Sequence, residues 1–352
     1  MQALRDNFEN ELDYRREAAW QQRYHRLAAP LEDIVVPRVV PEHVRDNVLV
    51  QTWEPGLSLE DASRLPAEER FNFGRALLRQ YLFMLFRHGI AHADPNPGNF
   101  AFRVGGEGPP QVVVYDYGSV FEITRDERMT LLRTLLALQA REAVDPAACL
   151  AGLGFDVEKL KDVRPCLAAL LGVLFEPFLV DRPFDVNDWD INQRFDAIVG
   201  ELKWWFRSAA PPRMIFLMRA LHGLTSHLKK LDVRLIWRRV LDEVGSDLFR
   251  QAMSFPLPPP PPGGNGETNF RSLSQYLKVH VEKCNGNKVE LTMPARVVDE
   301  LEDVIDPPVL ATIRDNGIEL EVIKRQVQRS GYAPQTLFQV KDPERDVRVW
   351  LE

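Results

Sequence analysis

The sequence predicts an α+β chain in two parts, a mainly helical domain and a small C-terminal α+β domain. Three observations support this. Residues 125–250 carry apolar positions at helical spacing with few strand signals. Residues 256–267 are a proline and glycine run. Beyond it, apolar residues alternate in two hairpin-like stretches. The expected division is therefore 1–255, a linker at 256–267, and 268–352. A length of 352 residues fits two domains.

Taken in order, residues 1–28 read as one helix, with Leu4, Phe8 and Leu12 as an apolar stripe. Ile34 to Pro41 and Val48 to Trp53 read as strands. Pro66 to Gly89 reads as a long helix, with Phe73, Leu77, Tyr81 and Leu85 on one apolar face. Phe100–Val104 and Gln111–Tyr115 read as two strands joined by a turn at Gly105–Pro110. Gly152-Leu153-Gly154 reads as a turn between helices. The proline run is a spacer, with a proline-ligand role as the other reading.

In the last domain, Leu277, Val279 and Val281 alternate before Asn285-Gly286-Asn287, and Val289, Leu291 and Met293 alternate after it. Helices are expected near 295–304, 308–315 and 319–330, with Asn316-Gly317 and Gly331 as stops. A second hairpin joins Thr336, Phe338 and Val340 to Val347, Val349 and Leu351 across Asp342–Arg345. No catalytic constellation is visible in 268–352, and interaction with a protein partner or self-association is its expected role.

The chemistry concentrates at His92-Ala93-Asp94-Pro95-Asn96-Pro97-Gly98-Asn99, followed by Asp116-Tyr117-Gly118. An Asp and an Asn five residues apart, then an Asp on an aromatic-Gly turn, is the working order of a phosphoryl-transfer site. One residue orients the acceptor hydroxyl and two oxygen ligands hold magnesium. Asp94 fits the first role, and Asn99 and Asp116 the second. The intervening hairpin returns Asp116 to the side of Asn99. His92 reads as a brace for the loop more than as a proton carrier.

His-Ala-Asp-Pro-x-Pro-Gly-Asn resembles the catalytic loop of the UbiB/AarF family of atypical kinase-like proteins. Glu11-Leu12-Asp13-Tyr14-Arg15-Arg16-Glu17 is similar to that family's Glu-x-Asp helix. Val50 to Gly56 resembles the strand and hinge between kinase lobes. The resemblance spans about residues 1 to 250. It implies a protein-kinase-like fold, mainly the helical C-lobe, with ATP and Mg2+ as cofactors. Glu17 would pair with the nucleotide-binding Lys, while Glu11 and Asp13 would engage the family's N-terminal extension beside the nucleotide. It further implies ATPase or kinase activity in isoprenoid quinone or lipid metabolism, with an isoprenoid lipid or small-molecule acceptor, and it allows peripheral membrane contact.

Two departures stand out. Asn96 occupies a position where the family has His, and Trp20 one where it has Asn. No Lys precedes Glu17, the first being Lys159, and no phosphate loop or Lys-x-Gly-Gln segment is present. Three expectations therefore compete: an enzyme completed by N-lobe elements from upstream or from a partner, a phosphotransferase of aminoglycoside or choline kinase type, and a non-catalytic pseudokinase or scaffold. Without a Lys, an exposed helix Glu is the competing reading of Glu17.

Composition narrows the rest. A net charge of −7 argues against nucleic acid as the main partner. Cys149, Cys166 and Cys284 form no metal or redox spacing, which suits a reducing, cytoplasmic setting. The longest apolar run, Cys166 to Val180, is broken by Glu176 and Pro177 and reads as a core helix. His222 and His227 read as surface or packing residues.

Overall fold

The computed structural model describes residues 13–105, 108–259, 269–283, 288–305, 307–341 and 345–352. Two compact units emerge. The first comprises 1–136, 176–190 and 210–256, and the second 137–175, 191–209 and 257–352.

Unit 1 opens with helix α1, Tyr14–Ala28. The sequence reads as a helix from the first residues. Residues 1–12 lie outside the described residues, and α1 begins where Asp13 adopts non-helical dihedrals. Its carboxylate accepts from the backbone N–H of Arg15 at 3.0 Å and of Arg16 at 3.4 Å. That satisfies donors a helix start leaves open. Tyr24, fully buried in α1, packs on the ring of Tyr117 with centroids 5.0 Å apart.

Only Ile34–Val35 (β1) joins the sheet from the first strand-like stretch. A lone bridge, Val39 to Gln51, links the two stretches expected to be strands. Pro37 and Pro41 lack the N–H that a longer ladder needs. Strands Phe100–Arg103 and Gln111–Val114, here β3 and β4, form the expected antiparallel hairpin, and β1 adds to β4 in parallel. Val112, Val113 and Val114 are all fully buried.

A short helix, α2 (Leu59–Ala62), precedes α3 (Ala67–Phe83), which buries Phe73, Leu77, Leu78 and Leu82. A wide π turn, Met84–His88, extends α3 to Gly89. Gly89 sits at φ 70°, and a Cβ there would stand 2.7 Å from the carbonyl of Ile123. A residue without Cβ ends the helix and turns the chain into β2, Ile90–His92. β2 pairs antiparallel with β5, Val120–Glu122. Helices α4 (Arg125–Ala140), α5 (Met214–Leu231) and α6 (Trp237–Met253) follow. The 125–250 region is not helical throughout: Phe184–Asp185 and Arg234–Leu235 (β6 and β7) form a small antiparallel pair. Asp232 ends α5 in the left-handed region at φ 52°, which sends the chain out into β7.

Unit 2 contains a four-stranded antiparallel sheet in the order β10-β11-β8-β9. Its strands are Tyr276–Lys283 (β8), Lys288–Pro294 (β9), Gln335–Lys341 (β10) and Arg345–Leu351 (β11). Leu277 pairs with Leu351 and Val279 with Val349. Together with Phe338, Val340, Val298, Ile313 and Val327 these side chains form one core. Helices Pro307–Asp315 and Leu320–Arg329 are followed by Gly317 and Gly331 at positive φ. The expected turns at 285–287 and 342–344, and linker residues 260–267, lie outside the described residues. Among the described residues no helix is long and apolar enough to cross a membrane.

Candidate functional site

The motif residues converge because two ladders close around them. Next to the β2–β5 pairing, the N–H of Ala93 donates to the carbonyl of Ser119 at 2.9 Å. At the β3–β4 end, the N–H of Tyr115 donates to the carbonyl of Asn99 at 2.8 Å. The segment 94–98 and the turn 116–118 are held between these two bonds.

Inside the loop, the Asn99 Nδ2 donates to Asp94 Oδ2 at 2.5 Å. The other oxygen of Asp94 accepts from the Asn96 N–H at 3.3 Å. Asn96 in turn caps the following turn, its Oδ1 accepting from the Gly98 N–H at 3.0 Å. An Asn at position 96 therefore has a structural task that a short amide performs well. Asn99 is buried, and its amide nitrogen is committed to Asp94, which leaves its Oδ1 outside that hydrogen bond.

Asp116 lies in the left-handed region at φ 55°, where Asp is better tolerated than most residues. Its Oδ1 accepts from the Gly118 N–H at 3.0 Å, and among the described residues no donor reaches Oδ2. The Nε2–H of His92 donates to the Asp116 carbonyl at 2.6 Å and lies 3.3 Å from that of Tyr115. His92 thus acts on the turn from below.

Glu17 reaches the same turn from α1, accepting from the Tyr117 N–H at 3.2 Å. Burial chiefly raises its pKa, the Tyr117 hydrogen bond opposes this, and the nearby Asp116 charge raises it further. Among the described residues no cation pairs with Glu17. Asp13 stands at the start of α1 as its cap, and Glu11 lies outside the described residues.

The hinge-like segment is tied to the hairpin. Arg103 Nη2 pairs with Glu54 at 2.6 Å, and its Nε donates to the Pro55 carbonyl at 2.7 Å. The Tyr115 hydroxyl donates to the Glu54 carbonyl. The Arg103 hydrogen bond leads the effects that hold the Glu54 carboxyl below its ordinary pKa.

One residue of the site escaped recognition as such in the sequence. His227 on α5 is buried, and its ring lies 4.5 Å from that of Phe100. Gly223, one turn earlier, faces Pro95 so closely that a Cβ would stand 3.0 Å from the Pro95 Cβ. The signal was the spacing: Ala220, Gly223, Leu224, His227 and Leu228 form the buried stripe of α5.

The site residues suit a magnesium ion in their donor chemistry. An amide oxygen and a carboxylate oxygen are hard ligands, and magnesium takes one or two carboxylates beside substrate phosphates. Consistent with so sparse a protein shell, no group of three or more His, Cys, Asp or Glu among the described residues is placed to hold a metal.

Comparison with known proteins covers the segment that holds the loop and the turn. Residues 1–146 match the ABC1 atypical kinase-like domain. An uncharacterized protein of Synechocystis sp., sll1770, is 30% identical over 225 residues, covering 63% of this chain and 37% of that protein. A probable protein kinase UbiB of Cellvibrio japonicus is 33% identical over 137 residues, 38% of this chain and 24% of that one. The mitochondrial atypical kinase COQ8B of Rattus norvegicus is 24% identical over 263 residues, 73% of this chain and 48% of that one. The chain thus spans less than half the length of each of these relatives. A solved structure, the Rv3197–erythromycin complex from Mycobacterium tuberculosis, aligns at a TM-score of 0.47 with 20% identity, over 67% of this chain and 58% of that one. That likeness is too slight to argue from. Residues 1–146, which hold the loop, the turn and the Glu17 helix, are thus an ABC1 atypical kinase-like domain, and relatives of this chain bear the names of UbiB and COQ8B atypical kinases.

Proposed function

We propose that this chain handles Mg-ATP through Asp94, Asn99 and Asp116, transferring or hydrolysing the γ-phosphoryl group. The observation that carries the reading is the hydrogen bond from Asn99 to Asp94. It aims one Asp94 oxygen and the Asn99 Oδ1 as a unit, beside an Asp116 whose Oδ2 is unclaimed. Asp94 orients the acceptor hydroxyl and receives its proton, while Asn99 and Asp116 hold the metal. A magnesium ion bound there supplies charge neutralisation on the β- and γ-phosphate oxygens. His92 keeps the Asp116 backbone in place, and Glu17 steadies the turn through Tyr117.

The names UbiB and COQ8B of relatives motivate an acceptor or beneficiary in isoprenoid quinone or lipid metabolism; peripheral membrane contact and a partner for residues 268–352 are further parts of the proposal. That no cation pairs with Glu17 among the described residues favours a second reading, a nucleotide-binding or scaffold protein without turnover.

Titration calorimetry of Mg-ATP against the chain and against Asp116→Ala tests the proposal. Magnesium-dependent binding that the substitution abolishes is the expected result. Binding that persists unchanged in Asp116→Ala overturns the assignment of the metal ligand. Binding without γ-phosphate release or transfer favours the second reading.

A further inference from the structure

Beneath the loop, between α1, α3, β2 and α5, lies a cavity of about 30 Å3. Tyr24, Gln80, Tyr81, His92, Asp94 and His227 supply its polar lining. The two imidazoles are fixed in complementary tautomers. His92 donates through Nε2 to the Asp116 carbonyl, which leaves a lone pair on Nδ1. His227 donates through Nδ1 to the Gly223 carbonyl at 2.6 Å, which leaves a lone pair on Nε2. Both of these nitrogens are buried, and neither meets a donor among the described residues. His227 itself is only 2% exposed.

Buried polar atoms in folded proteins are nearly always satisfied, and one that is not destabilises the fold. Two unpartnered lone pairs on residues that line one cavity call for a small group with two donors. Water has them, the volume admits a water molecule, and two to four polar partners suffice to hold one. Its oxygen remains able to accept from a phenol. The Tyr24 hydroxyl already accepts from Gln80 Nε2, so its own proton is available to donate. A metal ion is a poorer occupant, because no cluster of three ligating side chains stands among the described residues.

We propose that this cavity is a built hydration site, in which one resident water bridges His92 Nδ1 and His227 Nε2 and makes His227 a positioning residue for the Asp116 turn. The line of support runs from α5 through His227 and the water to His92, and from His92 to the Asp116 carbonyl. The same face of α5 supports the loop directly, through Gly223 against Pro95 and His227 against Phe100. The hydration site stands on its own geometry, whereas any effect of His227 on nucleotide handling rests on the reading above.

The test is the 15N NMR spectrum of the histidines in the full chain, together with a high-resolution crystal structure. Expected are an unprotonated, hydrogen-bonded His92 Nδ1 and His227 Nε2, and one water within hydrogen-bond distance of both. In His227→Phe the water is lost and the His92 Nδ1 resonance moves toward that of an unbonded imine. His227→Gln, which keeps an acceptor, retains the water. A dry cavity in the wild type, a metal ion in its place, or His92 protonated at Nδ1 would each overturn the proposal. If His227→Phe fails to fold, the wild-type tautomers and density still decide. None of these readouts requires nucleotide binding, so the hydration site and the Mg-ATP reading fail separately.

Discussion

The imidazole of His92 donates its Nε2 proton to the backbone carbonyl of Asp116 at 2.6 Å, joining the first residue of the loop motif to the first residue of the turn. Replacing His92 with Phe keeps the ring volume and removes the donor. The orphaned carbonyl should cost about 1–3 kcal/mol of stability, read as a lower urea midpoint. Mg-ATP affinity should fall about tenfold, equivalent to about 1.4 kcal/mol, on calorimetry.

Asp116 separates backbone tolerance from metal chemistry. Asn accepts the left-handed region as Asp does, and its side-chain oxygen can still accept from the Gly118 N–H. Asp116→Asn should therefore stay within about 0.5 kcal/mol of the wild type in thermal unfolding. On the proposed Mg-ATP reading, magnesium-dependent nucleotide binding should be lost, since that reading makes Asp116 the charged ligand.

Two glycines should respond with opposite signs. Gly223→Ala drives a Cβ to within 3.0 Å of the Pro95 Cβ and 3.1 Å of its Cα, and overpacking of this kind costs about 1–3 kcal/mol. Gly172 lies in the helix Leu167–Leu179 with nothing within 4 Å of a new Cβ. Gly172→Ala should stabilise by about 0.5–1 kcal/mol. Melting temperatures of the two variants check the contrast.

The pH dependence of stability follows from His227. Burial holds its pKa below the ordinary value, the nearby His92 adds to this, and the Gly223 hydrogen bond opposes it. The unfolded chain therefore binds a proton at this site before the folded chain does. Stability from this group is complete above the unfolded pKa of about 6.5 and is lost as pH falls from there through the folded pKa. The melting temperature should drop between pH 7.5 and pH 5, and less so in His227→Gln. His88, also lowered chiefly by burial, contributes a remaining slope.

What could be read from the sequence was local. The hairpin between Asn99 and Asp116 was legible because alternation and a glycine turn define it within a few residues. The long helix ending at Gly89 was legible from its apolar face. Strands at 34–41 and 48–53 were over-read, since valine content says nothing of the ladder donors missing at Pro37 and Pro41. Asp13 shows how a motif residue can also carry a plain backbone duty, that of a helix cap. His227 was placed among surface or packing residues because its partners, Phe100 and the loop, lie far away in the chain. Both hairpins of unit 2 were visible, but the pairing of β8 with β11 joins distant segments and left no local trace.

The bonds from Ala93 to Ser119 and from Tyr115 to Asn99 make the loop and the turn a single mechanical piece. Neither can swing out while the other stays. A protein that must gather its metal ligands from separate mobile segments loses conformational freedom at every binding event. Here that ordering is completed once, during folding, and on the proposed reading these two bonds set the spacing at which a cation would be met.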